Sequence, residues 1–213
     1  MTAPAARRAP VLPTIIVALA VATMIGLGMW QLLIRRPQKL AYIEQLGANP
    51  AKPPVAFPRE PDDALLFRRA TGMCLEPTAI RTEGAGRVGF RLIAECRTGG
   101  LEGPGMLVQL GTTRSPDARV AWPGGEVSGH LTHAPDRRSA LAALFDRTPR
   151  RLMLVSDRPL AGLAPNPPPD VKAVPNPHLS YAFQWFFFAA SAAVIYWLAL
   201  RRRGRLPSPA RPR

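Results

Sequence analysis

Acidic residues are absent from both ends of this 213-residue chain, although its formal net charge is +14. All 14 Asp and Glu residues lie between Glu44 and Asp170. The unopposed arginines at the two ends are Arg7, Arg8, Arg201, Arg202, Arg203, Arg205, Arg211 and Arg213. A protein with this much positive charge could bind nucleic acid, but these arginines lie beside two long apolar runs. We therefore attribute the imbalance to membrane topology and expect no nucleic-acid partner.

Motifs for catalysis and nucleotide binding are also missing. The chain has no G-x-S-x-G, no H-E-x-x-H and no phosphate-binding loop, which argues against a hydrolase. The glycines at 84–89 match G-x-G-x-x-G, but a predicted strand follows them where the dinucleotide motif needs a helix, which indicates a hairpin turn. His130 and His133 lie three apart on a predicted strand and point to opposite faces. We expect both to face solvent rather than to share a metal.

Cysteine is scarce, with only Cys74 and Cys96, which are 22 residues apart. Without a second pair or a C-x-x-C, this spacing argues against a zinc site and against copper delivery. In an oxidising compartment an isolated pair forms a disulfide or remains as two buried thiols. Both cysteines fall in neighbouring predicted strands, and we predict the disulfide.

Charged residues are missing from two stretches, 11–34 and 179–200, of 24 and 22 residues. A helix needs roughly 20 apolar residues to cross a bilayer, so both stretches predict transmembrane helices. The first could instead be a cleaved signal peptide, with "AVA" at 20–22 as its cleavage site. The apolar stretch continues for twelve residues beyond Ala22, which favours an uncleaved anchor.

The arginine-rich ends predict the orientation of the two spans. Both ends should be cytoplasmic, which places the segment between the spans in the periplasm. An Arg- and Ser-rich organelle presequence is absent, which favours a bacterial inner membrane. The predicted segments are a basic tail (1–10), a transmembrane helix (11–34), a juxtamembrane helix with a proline-rich arm (35–60), a β-dominated domain (61–160), a proline-rich linker (161–178), a second transmembrane helix (179–200) and a basic tail (201–213).

The central segment reads as a small β-dominated α+β extracytoplasmic domain. Alternating apolar residues and glycine-rich turns predict strands between residues 64 and 133, including 118–122, and again near 151–157. One short helix is predicted in "SALAALFDR", with Leu141, Leu144 and Phe145 as its apolar stripe. The expected fold class is therefore a membrane protein in which two transmembrane helices flank this domain.

Polar and aromatic residues gather where each span meets the central segment. Trp30 and Gln31 close the first span; His178, Tyr181, Gln184 and Trp185 open the second. An interfacial aromatic belt explains the aromatics but not the glutamine amides, which need a protein or ligand partner inside lipid. Small residues at four-residue spacing also predict close helix packing. They are Ala18, Ala22 and Gly26 in the first span and Ala189 and Ala193 in the second.

Two motifs at these boundaries resemble the signatures of the surfeit locus protein 1 family, assembly factors for haem-copper cytochrome c oxidase. The first is Gly-x-Trp-Gln followed by basic residues, here Gly28, Trp30, Gln31, Arg35, Arg36 and Lys39. The second is Pro-Asn-x-His-Leu-x-Tyr-Ala with an aromatic pair three residues on, here Pro175, Asn176, His178, Leu179, Tyr181, Ala182, Trp185 and Phe186. The chain departs from the family at 110–113, where "LGTT" replaces an Arg-Gly-Trp turn.

The resemblance implies a role in delivering haem a to subunit I of the oxidase or inserting it there, together with haem a synthesis or other assembly factors. It implies that this chain is not an enzyme, and it implies that His178 ligates the haem iron. Tyr181, Trp185, Phe186 and Trp30 would flank the ring, Gln31 would help close the site, and Arg35 and Arg36 would pair with the propionates. The alternative is a membrane scaffold that holds oxidase subunits or other assembly factors without binding haem.

Overall fold

The computed structural model describes residues 10–99, 105–136, 138–146 and 148–205. The chain divides into two compact units. A helical unit combines Met1–Ala41 with Pro175–Arg213, and a β unit comprises Tyr42–Val174. This division confirms the predicted fold class, in which long apolar helices at both ends flank a β-rich domain.

The helical unit contains the two predicted spans. Helix α1 (Val11–Trp30) continues through a π-helical turn (Gln31–Arg35) into α2 (Arg36–Gly47), which runs on into the β unit. Helix α4 covers His178–Arg205. Both α1 and α4 are long and apolar enough to cross a membrane. Pro13 lies in the first turn of α1, where proline is tolerated, and the charges of α4 are confined to its C-terminal end from Arg201 onwards.

Helices α1 and α4 pack against each other along one stripe of each. Less exposed residues recur at alternating steps of three and four, the spacing of an antiparallel coiled-coil seam. On α1 they include Thr14, Val17, Val21, Met24, Gly28 and Gln31, and on α4 His178, Ala182, Trp185, Ala189, Ala192 and Tyr196. Ala18, Ala22 and Gly26 were predicted to form a ridge for helix packing. All three are exposed, so the prediction is wrong for the contact between α1 and α4. The ridge lies off the three-and-four stripe, so it turns away from α4.

The β unit is built on one seven-stranded mixed sheet. Its strands are β1 (Val55–Ala56), β2 (Arg69–Cys74), β3 (Glu76–Gly84), β4 (Phe90–Arg97), β5 (Met106–Thr113), β6 (Gly125–His133) and β7 (Leu152–Ser156). They are ordered β1-β2-β6-β7-β5-β4-β3. The pairs β1–β2 and β5–β7 are parallel, and the other pairs are antiparallel.

A single residue forces this sheet to curl. Leu75 alone separates β2 from β3, yet these strands lie near opposite ends of the sheet. The sheet therefore bends round until the two ends meet, as strands do when a barrel closes. At the join the Leu75 N–H donates a hydrogen bond of 2.9 Å to the Arg97 carbonyl oxygen. Cys74 and Cys96 form a disulfide there, with Cα atoms 5.1 Å apart and both residues buried.

The core fills the concave face of the curled sheet. Alternate residues of β5 point inwards, since Met106, Val108 and Leu110 all belong to the same buried cluster. Gly72 on β2 leaves room for Met106, because a Cβ at Gly72 would lie 2.4 Å from the methionine sulfur. A larger residue at position 72 would therefore push the core apart.

Two segments differ from, or refine, the predictions for the β unit. Residues 118–122 form no strand, because their backbone has no ladder partner, but Val120 and Trp122 still pack on the core. The strand predicted for this stretch is therefore wrong, although two of its apolar side chains are partly buried. The 84–89 glycines do form a turn between β3 and β4, with φ of 61° at Gly86 and 93° at Gly89.

The predicted exposure of the histidines is wrong for His130. This residue is buried on β6, and its Nδ1 lies 3.9 Å from the Asp157 carboxylate. Burial lowers the pKa of His130, although the nearby Asp157 charge opposes the shift. His133 is partly exposed and its Nε2 lies 2.8 Å from Asp63 Oδ1. The two histidines therefore contact different carboxylates.

Helix α3 (Ala140–Phe145) confirms the predicted short helix but not the orientation that its apolar stripe suggests. Leu141 is 73% exposed and Phe145 is 86% exposed, so neither contributes to the core. The side chain of Leu144 lies outside the described residues. The helix therefore presents apolar side chains outwards from the β unit.

Removing the disulfide should destabilise the β unit, because the bridge closes a 22-residue separation at the sheet's join. For Cys74→Ala with Cys96→Ala we expect the free energy of unfolding to fall by about 3 kcal/mol. Urea unfolding of the full chain in detergent, followed by near-ultraviolet circular dichroism, measures this.

The matched control is Met73→Ala with Leu75→Ala, since both side chains are exposed beside the bridge. That pair should change stability little. Labelling of both cysteines in the native protein without reductant would contradict the bridge.

Candidate functional site

The two motifs at the ends of the spans meet in one hydrogen bond. Gln31 at the end of α1 and His178 at the start of α4 place Oε1 and Nδ1 2.7 Å apart. An amide oxygen only accepts, so Nδ1 donates its proton and the neutral ring keeps a lone pair on Nε2. Within the part of the chain that the structure describes, no hydrogen bond involves Nε2. The ring therefore has one nitrogen held in place and the other available to bind.

Close packing of the helices brings these side chains within reach. Gly28 is buried, and a Cβ at this position would lie 2.6 Å from the Phe186 ring. The ring occupies the space that any other residue would need. Ala182, also buried, keeps the α4 side of the contact small. Gly28 is one turn before Gln31 and Ala182 one turn after His178, so this packing sets the separation of the hydrogen-bonded pair.

A π-helical turn follows directly at Gln31. It runs from Gln31, the second residue of the Trp-Gln pair, to Arg35, the first basic residue of the motif. π-helical turns are rare and recur at functional sites, because the wider turn changes the direction of the side chains that follow. Apolar periodicity could not have revealed this turn, since residues 31–34 are uncharged and read as ordinary helix.

The predicted flanking residues are divided between the seam and the outer surface. Trp185 is half-buried on the same stripe as His178 and packs edge-on against Phe188, with ring centroids 6.3 Å apart. Trp30 and Tyr181 are 42% and 47% exposed, so they lie beside the seam rather than in it. Both positions also suit an interfacial belt.

The two arginines of the first motif differ in their surroundings. The Arg35 guanidinium lies over the Trp30 ring, 5.4 Å from its centroid. This contact is within the range of a cation–π interaction and holds the charge beside the indole. Arg36 is exposed at the first position of α2. Arg35 and Arg36 thus follow Gln31 by four and five residues along the chain.

A second polar contact joins α1 and α4 at their other ends, and the sequence did not predict it. The Thr14 hydroxyl donates to the Pro10 carbonyl oxygen at 2.7 Å, so Tyr196 donates its own proton to Thr14, 2.5 Å away. The signal available was one threonine early in an apolar span and one tyrosine late in the other.

The arrangement supplies a binding group rather than reactive groups. Metal-binding histidines almost always donate the second ring N–H to a fixed acceptor, which sets the tautomer and the ring orientation. The hydrogen bond between His178 Nδ1 and Gln31 Oε1 has the same arrangement. Among the described residues, no three His, Cys, Asp or Glu side chains cluster as a metal site. Any metal bound by His178 would therefore bring its other ligands with it.

Comparison with known proteins identifies the motifs. The model of the SURF1 family matches residues 18–190, from within α1 to within α4. The matched range includes both boundary motifs and the whole β unit. No curated protein matches the chain.

A bulky residue at Gly28 should separate the helices and break the Gln31–His178 hydrogen bond. For Gly28→Leu we expect a loss of about 1–3 kcal/mol in stability, the usual effect of overpacking. The ring nitrogens report the bond directly: ¹⁵N-histidine spectra should show His178 protonated at Nδ1 in the wild type and an exchanging mixture in the variant.

Gly26→Leu is the matched control, because nothing lies within 4 Å of a Cβ at Gly26. It should retain the wild-type spectrum. Identical His178 signals in Gly28→Leu and the wild type would refute the dependence on close packing.

Proposed function

Because this chain belongs to the SURF1 family of cytochrome oxidase assembly factors, we propose that it delivers haem a to subunit I of the haem-copper oxidase or assists its insertion there. The observation that carries the proposal is the 2.7 Å hydrogen bond between Gln31 and His178. It joins the two motifs of the family resemblance and leaves one imidazole nitrogen with a lone pair. An assembly factor that delivers haem needs a carrier site that binds and releases its cargo, rather than a catalytic site.

The residues present fit a haem as cargo. His178 would bind the iron through Nε2 while Gln31 holds the ring in the required tautomer. Haem a supplies a flat apolar macrocycle with an iron at its centre and two carboxylates at its edge. Trp185, Tyr181 and Trp30 present aromatic surface beside His178. These side chains would exclude water from the macrocycle.

The arginines of the first motif suit the edge of the cargo. Propionate carboxylates pair well with guanidinium groups, which donate in a planar fork. Arg36 is exposed, and Arg35 is held against Trp30. We propose that both bind the propionates. A single histidine ligand and surface cations also favour release, because subunit I can offer more ligands than this site has.

The same proposal includes the setting of the site. Two apolar helices and arginine-rich ends support an inner-membrane protein with both termini in the cytoplasm and the β unit in the periplasm. The disulfide at the sheet's join suits that oxidising compartment. His178 and Gln31 would then lie at the periplasmic face of the membrane.

Co-purification with haem a tests the carrier site. His178→Ala should remove the iron ligand and most of the bound haem a, measured by pyridine haemochrome and the Soret band. Gln31→Leu should weaken binding about tenfold, because it removes the acceptor that orients the ring.

Gln184→Leu is the matched control for Gln31, since Gln184 is an exposed glutamine of the same membrane unit. It should bind haem a normally. An unchanged Soret band in His178→Ala would exclude His178 as the ligand. If the wild type carries no haem a while oxidase assembly still requires the chain, the scaffold function is correct instead.

Alkaline phosphatase inserted in the full chain tests the orientation. We expect activity from an insertion between Ser115 and Pro116, in an exposed turn of the β unit, because the enzyme folds only in the periplasm. A fusion after Arg203 should be inactive. Activity only in the second fusion would reverse the proposed topology.

A further inference from the structure

Helix α3 and its flanking residues form an apolar projection on the β unit, which we call the α3 knob (Asp136, residues 138–146 and residues 148–151). Every described side chain within the helix is exposed, including Leu141 and Phe145. Two large apolar side chains one helical turn apart form a continuous surface. Contiguous exposed apolar surface on a folded domain marks an interaction site rather than random scatter.

Ion pairs and hydrogen bonds hold the α3 knob in a defined shape. The exposure of Leu141 and Phe145 is therefore not the result of a frayed helix end. Arg138 pairs with Asp136 at 2.9 Å and Asp146 at 3.2 Å, on either side of the helix. Its guanidinium also donates to the Thr148 carbonyl oxygen at 3.2 Å, and Ser139 caps the helix by accepting from the Ala142 N–H. Side-chain hydrogen bonds with Arg138 and Thr148 lower the pKa values of Asp136 and Asp146 to about 2. The carboxylates therefore remain charged and the loop remains joined at neutral pH.

The charge around the apolar surface is positive. Between residues 136 and 151 the sequence has five arginines and two aspartates. Both aspartates pair with Arg138, and Asp136 also lies 3.6 Å from the Arg150 Nε, so the segment has three more arginines than aspartates. Arg150 has a side chain that is 57% exposed. An apolar surface bordered by exposed cations is the pattern of helices that lie in the interface of anionic membranes.

We propose that the α3 knob docks on an anionic lipid surface. Leu141 and Phe145 would enter the boundary between headgroups and acyl chains, and Arg150 with Arg151 would contact lipid phosphates. This role is independent of haem binding. It assigns a ligand chemistry to the two most exposed large apolar side chains that the structure describes in the β unit, Leu141 and Phe145.

The connection to the apolar helices favours lipid over a protein partner. Residues 157–177 join β7 to α4, and 21 residues of chain reach at most about 70 Å when extended. A membrane that holds α4 is therefore always within reach of this unit. Such tethering gives a high effective concentration, so even a weak interfacial contact would be populated. A free protein partner gains no such advantage.

Hydrogen exchange of the full chain in nanodiscs tests the proposal. One disc contains phosphatidylcholine alone, and the other contains an equal mixture with phosphatidylglycerol. Amides of residues 140–145 should exchange at least about fivefold more slowly in the anionic disc, the factor expected for one arginine near such a surface. Roughly 1 M salt, which shortens the Debye length to about 3 Å, should remove most of the difference.

Matched variants separate the apolar from the electrostatic contribution. Leu141→Ser with Phe145→Ser should abolish the difference between discs, whereas Val88→Ser, at an exposed valine elsewhere in the unit, should leave it unchanged. Arg150→Gln should reduce the protection about fivefold. Arg119→Gln, at another exposed arginine, should not.

Two results would overturn the proposal. One is equal exchange of residues 140–145 in both discs at low salt. The other is protection that arises only after purified oxidase subunits are added, which would make the knob a protein-binding surface. The haem content of the same preparations is measured in parallel. It distinguishes a failure of the lipid-docking proposal from a failure of the proposed carrier function.

Discussion

The helical unit depends on one requirement, which is that an amide near the end of an apolar helix must find a partner. Gln31 meets it with the His178 ring, 2.7 Å away. The hydrogen bond in turn requires the helices to lie close, which a buried Gly28 against Phe186 permits. Polar partners are scarce in lipid, so such contacts fix the register between helices better than apolar packing alone. At the opposite ends, Thr14 and Tyr196 add a second fixed point.

The β unit meets a different requirement, because its sheet must join its own ends. A one-residue link at Leu75 brings β2 and β3 together from opposite ends of the strand order. The Cys74–Cys96 bridge lies at that corner and is buried with the core. Curling places alternate residues of the long strands in one interior, and Leu46 of α2 is buried with Leu66 and Leu152 in a separate cluster. Helix α3 is free to project as a result.

Local patterns in the sequence determined the architecture and the residues of the candidate site. Two uncharged stretches long enough to span a bilayer predicted α1 and α4, and alternation with glycine turns predicted most of the strands. These features depend only on neighbours in the chain. The two boundary motifs likewise identified His178 and Gln31 without showing that they touch.

Only the tertiary structure decided which of these residues meet. The pairing of Gln31 with His178 spans 147 positions in the chain, and no local pattern specifies a contact at that distance. The burial of His130 and the exposure of Phe145 were missed for the same reason, since each depends on what other strands and loops cover. Local sequence sets which face of an element is apolar. Whether that face lies against a core, a membrane or solvent is set by long-range packing, which a single stretch of sequence does not contain.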